Sequence, residues 1–320
     1  MTQSQQKDAQ HYLQGFFPAT AFTDEHQLTQ LRLLAKRLRL ASLPQLHGLL
    51  SGNHMSRQKG RGLDLDQLRI YQPGDDIRSI DWRVTARTQK PHTRVYKEER
   101  ERPVVILCDQ RSPMFFGSQR SFKSVVAAQC SALIAWAAFD HGDRVGAVVL
   151  GDQKEFDFRP KQRSSHVLNI LKSINQSNHQ LEQQQEVKRS LGQSLQNLKQ
   201  SLKPGTTLYI ISDFYDLAEE DKATLFSLRR HNHIVALQVF DPLERKAPPS
   251  GMYAVTDGDR HGFLDTHDQH ALDSYTDAVS TWQEGIKNTF RSLAINHQQI
   301  NAGEIPFAAL KLALEQRGAA

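Results

Sequence analysis

LRIYQPGDDIRSIDWRVTARTQKPHTRVYKEERERPVVILCD, residues 68–109, joins two chemically opposite pieces. Leu68 to Arg102 is dense in Arg, Asp, Glu, Trp and Tyr, and it runs directly into the apolar pentapeptide Val104–Cys108, closed by Asp109. A short, continuous apolar run suits a strand covered on both faces, which is how parallel strands are buried. A polar, aromatic block feeding such a strand reads as a recognition or bracing module built onto an α/β domain.

The same signal repeats downstream. Arg144–Leu150, Thr207–Ser212 and His233–Phe240 read as strands. Phe122–Phe139, Ser165–Ile174, Val187–Leu202 and Leu217–Arg230 read as helices. Strand–helix alternation predicts a mostly parallel central sheet flanked by helices. Glu155–Phe158 is a short strand beside the second one, and Gln176–Gln185 a Gln-rich loop. Met252–Thr256 and Gly262–Asp265 read as a hairpin extending the sheet, His267–His297 as largely helical and Pro306–Arg317 as a terminal helix. Upstream, Leu28, Leu31, Leu34 and Leu38 form one helical stripe, with Thr23 as its cap. Leu65–Tyr71 and Thr93–Glu98 read as strands, with a turn at Pro73-Gly74-Asp75-Asp76 and a short helix over Ile77–Arg87 capped by Asp76. This divides the chain into a mobile N-terminus (1–22), an N-terminal helix with the polar block (23–102), the α/β domain (103–245) and C-terminal hairpin and helices (246–320).

The 320 residues carry a net charge of only +5, which is weak grounds for a nucleic-acid partner. Seven Lys or Arg and no acidic residue lie between Leu31 and Gly62, so nucleic-acid binding through basic residues 31–62 is one alternative. The stretch has no interleaved aromatics and no DNA-reading motif, which argues for a solvated face instead. Cys108 and Cys130 both sit in apolar runs, as buried thiols of a reducing compartment do. The first residues lack the pattern of a secretory signal, and Val125–Phe139 is too short to cross a bilayer, so a cytoplasmic location is expected. There is no phosphate-binding GxxxxGK[ST] loop, so ATP hydrolysis by this chain is not expected.

Tyr71-Gln72-Pro73-Gly74-Asp75-Asp76, Arg78, Ile80-Asp81-Trp82, Thr85-Ala86-Arg87, Tyr96 and Glu98-Glu99-Arg100 closely resemble the signature of a bacterial domain of unknown function, number 58. The α/β region resembles that family's von Willebrand factor A-like domain, and together the likeness covers roughly residues 50–245. The resemblance implies a non-enzymatic adaptor or chaperone-like partner of a MoxR-type AAA+ ATPase, linking it to membrane-anchored von Willebrand factor A proteins. It implies no small-molecule substrate. It also implies where Mg²⁺ would sit: a DxSxS pattern after the first strand and an Asp from a later loop. Asp109 and Asp213 match that pattern, but the two serine positions are Arg111 and Pro113. Pro has no hydroxyl and a guanidinium repels a divalent cation, so no cofactor is expected, and Arg111 is expected to pair with Asp109 or Asp213. A metal-dependent hydrolase using Asp109 and Asp213 is the other alternative. Partner-binding candidates are Arg78, Arg83, Arg87, Arg111 and Asp213. Pro73, Gly74, Asp75, Asp76, Asp81 and Trp82 are read as structural, with Trp82 packed inside.

Overall fold

The computed structural model describes residues 13–38, 40, 63–72, 77–98, 103–183, 186–245, 248–256 and 261–315. The chain divides into two compact units. Pro44–Glu101 forms one; Met1–Leu43 together with Arg102–Ala320 forms the other.

After a helical turn at residues 13–16, the larger unit has two short helical pieces, α1 (Glu25–Gln30) and α2 (Arg32–Ala35). Asp24, rather than Thr23, caps α1 by accepting from the Gln27 amide at 2.7 Å. Thr23 instead donates its amide to Asn178 and its hydroxyl to Asn175. Leu28, Leu31, Leu34 and Leu38 are fully buried in the main core, so this helix belongs with the α/β unit and not with the polar block beside which the sequence places it.

In the smaller unit, β1 (Leu63–Ile70) is followed by a 3-10 turn at Ile77–Ser79, helix α3 (Trp82–Thr88) and β2 (His92–Glu98). β1 and β2 pair antiparallel, Ile70 opposite His92. The helix starts later than its periodicity predicts because Asp81, not Asp76, is its cap: one carboxylate oxygen accepts from the Arg83 and Val84 amides. Gln89 ends it in a left-handed conformation. Pro73, Gly74, Asp75 and Asp76 lie outside the described residues.

The larger unit continues with β3 (Pro103–Gln110), α4 (Lys123–Asp140), β4 (Arg144–Gly151), β5 (Glu155–Lys161), α5 (Ser164–Gln180), α6 (Leu191–Ser201), β6 (Thr207–Ser212), α7 (Asp221–His231) and β7 (His233–Phe240). Then come β8 (Met252–Thr256), β9 (His261–Asp265), α8 (Gln269–Ser292), β10 (Asn296–Asn301) and α9 (Pro306–Glu315). The sheet has six strands in the order β10-β7-β6-β3-β4-β5, all parallel except β5. Alternation along β3 sends Val104, Ile106 and Cys108 into one core, against α4, α5 and α9. It sends Val105 and Leu107 into the other, against α6, α7 and α8. The result is the expected doubly wound, mostly parallel sheet flanked by helices.

Three expectations change. α5 runs on to Gln180, through the predicted Gln-rich loop, because Asn178 is buried and bridges the Thr23 amide and the Gln110 side chain. β8 and β9 form a separate two-stranded sheet, since the place beside β7 is taken by β10. β10 has no counterpart in the sequence reading, whose helix over His267–His297 ends inside it and leaves 298–301 unassigned. It is polar because it lies at the sheet edge, with only Ile300 fully buried, and Ala294 at φ 49° breaks the preceding helix. Among the described residues, no helix is long and apolar enough to cross a membrane.

Candidate functional site

Open α/β sheets hold ligands in the crevice beyond the carboxyl ends of their strands. Here that crevice contains two buried cations belonging to the chain itself. Asp109, at the end of β3, receives the Arg111 amide (3.1 Å) and Nε (2.9 Å) on Oδ1, and Nη2 (2.7 Å) and the Ser212 hydroxyl (2.7 Å) on Oδ2. The far side of the guanidinium meets Asp216 through both Nη1 and Nη2, and Nη1 also donates to the Arg189 carbonyl at 3.1 Å. All five N–H donors of Arg111 therefore have acceptors, and the residue is 2% exposed. Burial alone would lower its pKa, but the Asp109 and Asp216 carboxylates prevail and raise it. In Asp216, burial raises the pKa, yet the Arg111 hydrogen bond and charge carry it below the ordinary value.

The second cation is Lys123, at the start of α4. Its Nζ contacts Asp213 Oδ2 at 2.8 Å and Glu244 Oε1 at 2.5 Å. Burial works against the ammonium, but the two carboxylates raise its pKa overall. One ammonium shared by two acids does not offset the burial of Glu244, whose pKa rises. Glu244 Oε2 accepts from the Asp241 amide, and Asp241 in turn accepts from Ser118 and Leu243. Ser112 donates both its amide and its hydroxyl to Asp152.

The turn carrying Asp213 and Asp216 is strained. Phe214 has φ 61°, a costly conformation for a non-glycine residue. It is held by its amide on the Ser212 hydroxyl and by an edge contact of its ring with Phe290 at 4.9 Å. This turn leaves Tyr215 71% exposed at its tip.

The expected pairing of Arg111 with Asp109 is present; its other partner is Asp216, while Asp213 belongs to Lys123. As surface-docking residues, Arg111 and Asp213 are corrected, since both are buried and committed to ion pairs. Nor do the residues fit Mg²⁺. A guanidinium stands against Asp109, an ammonium against Asp213, and Pro113 lies in a 3-10 turn without a hydroxyl to offer. Asp109 and Asp213 share no open position of the kind a hydrolytic metal would need. Among the described residues, no cluster of three or more His, Cys, Asp or Glu is arranged for a metal.

Lys123, Asp216, Glu244 and Asp152 were not singled out from the sequence. One signal did exist. Lys123 is the lone charged residue of the apolar segment Phe122–Phe139, at a helix N-terminus where the dipole disfavours a cation.

The smaller unit has the opposite character. None of the apolar side chains described between Leu68 and Thr93 is buried. Trp82, expected to pack, is 66% exposed, because α3 turns Val84 and Thr85 inward and Trp82, Arg83, Ala86 and Arg87 outward. Arg83, Arg87 and the exposed Lys90 make no ion pair among the described residues. Arg78 is exposed at the 3-10 turn. Of the basic stretch 31–62, Arg39 and residues 41–62 lie outside the described residues, and Arg32 pairs with Asp140 at 2.8 Å.

Fold and site together define an α/β protein with a doubly wound, mostly parallel sheet whose crevice at the carboxyl edge is neutralised internally. The chain belongs to the family described as protein of unknown function DUF58, which matches residues 67–284, further into α8 than the motif likeness reaches. Uncharacterized proteins of Mycobacterium bovis and Mycobacterium tuberculosis are 26% identical over 257 residues, 80% of each chain. Among solved structures, the conserved hypothetical protein BatB of Bacteroides thetaiotaomicron is similar at 14% identity and a TM-score of 0.37, covering 60% of this chain and 98% of that one. An aerotolerance-related membrane protein from Bacteroides fragilis gives 15% and 0.38, with 60% and 99% covered.

Proposed function

We propose that this chain is a non-enzymatic, cytoplasmic adaptor that docks onto a MoxR-type AAA+ ATPase and links it to membrane-anchored von Willebrand factor A proteins. ATP hydrolysis takes place in the partner. The observation that carries this reading is the outward face of α3, where Trp82 stands exposed beside Arg83 and Arg87. Trp and Arg are the residue types that dominate interface hot spots, and burying them against a partner is where their energy is gained. The family resemblance supplies the identity of the ATPase. The saturated crevice supports the same reading, because Asp109 and Asp213 are held by cations rather than free to act as acid or base. Exposed Phe116 and Tyr215, on the loops after β3 and β6, add apolar contact area at the carboxyl edge.

The test is calorimetric titration of the purified ATPase with wild-type and variant chains. Arg83→Glu with Arg87→Glu is expected to weaken binding by roughly 100-fold or more, because like charges across an interface cost several kcal/mol. Trp82→Ala is expected to weaken it about 30-fold, the scale of a hot-spot truncation. Neither change should move the melting temperature much, since these side chains are exposed. Unchanged affinity in a folded Arg83→Glu, Arg87→Glu variant would remove this surface from the account.

A further inference from the structure

The space between Asp109 and Asp216 is a nest of hard oxygen donors filled by a side chain. We propose that Arg111 is the resident cation of this crevice: its guanidinium takes a place whose donors suit a divalent metal, keeps the edge assembled without one, and on removal leaves a divalent-cation site. This inference stands apart from the adaptor reading.

Four carboxylate oxygens, two from Asp109 and two from Asp216, and the Arg189 carbonyl surround the guanidinium at 2.5–3.1 Å from its nitrogens. Carboxylate and backbone carbonyl oxygens are the ligands that Ca²⁺ and Mg²⁺ take. These donors are themselves held in place. The Ser212 hydroxyl fixes Asp109 Oδ2, and the Leu191 amide fixes Asp216 Oδ2 at 3.0 Å. Without the guanidinium, the buried Asp109 carboxylate and the half-buried Asp216 carboxylate face each other, and one divalent ion neutralises both. The alternative is a buried, unpaired Asp109 facing a partly exposed Asp216 of the same charge, which is costly. The carboxylates are spaced by the width of a guanidinium, so the more adaptable shell of Ca²⁺ fits better than the strict octahedron of Mg²⁺. In the native chain the cation is covalently attached. The turn from Asp213 to Asp216, with Tyr215 at its tip, is therefore held whether or not divalent ions are present.

The experiment compares the wild type with Arg111→Ser in EDTA, CaCl₂ and MgCl₂, by thermal denaturation and by calorimetric titration of the metal alone. The wild-type melting temperature should be the same in all three solutions. Arg111→Ser should melt lower in EDTA, bind one Ca²⁺, and regain about 5–10 °C when Ca²⁺ is near 100 times its dissociation constant. Adding Asp216→Asn should abolish that response. If Arg111→Ser does not fold in EDTA, refolding in Ca²⁺ is the readout: recovery only with the metal supports the proposal, and failure in both solutions overturns it. A folded Arg111→Ser that binds neither metal, or a wild type stabilised by Ca²⁺, also overturns it.

Discussion

Replacing Lys123 with methionine should cost about 3–5 kcal/mol of stability, the scale of breaking a buried ion pair by removing one partner. The side chain is 2% exposed, and its ammonium is shared by Asp213 and Glu244. Methionine keeps the volume and deletes the charge, so both carboxylates are left without their cation. Adding Asp213→Asn and Glu244→Gln should recover most of the loss, because amides are far cheaper to bury than unpaired carboxylates. The pH behaviour separates this from a packing defect. In the wild type, the lysine pKa is raised in the folded state. Its stabilisation is thus fully present below the ordinary value of 10.5 and disappears only as pH climbs through the raised one. In the variant, Glu244, already raised by burial, loses the ammonium that opposes that rise and binds its proton still more tightly folded than unfolded, so the deficit should shrink as pH falls toward 4. Urea unfolding at pH 7 and pH 5 reads both effects. A loss below about 1 kcal/mol, in the range of an exposed pair, would show that the ion pair contributes little.

Acidification from pH 6.5 to about 4 should destabilise the wild type by about 3 kcal/mol through His297. Its pKa is pushed down from 6.5 to about 4, first by burial and then by the positive charges of Arg245 and Lys287. The ring stacks on Phe290 at 4.9 Å, and Nε2 lies 3.1 Å from Gln238 Oε1, a neutral acceptor. The pKa of a base is depressed in the fold, so the unfolded chain takes up the proton first. Between the two values it binds more protons than the native state, and stability falls with pH. His166 and His233, lowered chiefly by burial, act in the same direction. Asp216 adds a further loss below its ordinary value of 3.8, since its folded pKa is lower still. His297→Gln should remove most of the slope in unfolding free energy between pH 6.5 and 4.5. An unaltered slope in that variant would assign the acid sensitivity elsewhere.

What could be read from the sequence follows from which interactions are local. The strands at 103–110, 144–151, 207–212 and 233–240 announce themselves because burial on both faces demands unbroken apolar runs. β10 carries no such mark: an edge strand needs only one buried side chain here, Ile300, and its Asn and Gln show neither an apolar run nor alternation. α5 is extended by Asn178, whose partners, Thr23 and Gln110, are distant in the chain. The same divide runs through the site. Asp109 and Arg111 are two residues apart, and a guanidinium in a metal-ligand position is a local contradiction that points to their pairing. Asp216 is 105 residues from Arg111, and Glu244 is 121 residues from Lys123. Only the folded sheet brings them together. Trp82 was misread because a large aromatic is usually packed, and nothing in its neighbourhood says that α3 turns Val84 inward instead.

The measurement that bears most directly on the adaptor reading is capture of partners from native lysate by the tagged chain, with ATP or ADP present, followed by mass spectrometry. Nucleotide-dependent enrichment of a MoxR-type AAA+ ATPase, absent with Arg83→Glu, Arg87→Glu, is the expected result. Recovery of no such ATPase with either nucleotide, or of nuclease-sensitive nucleic acid in its place, would contradict it.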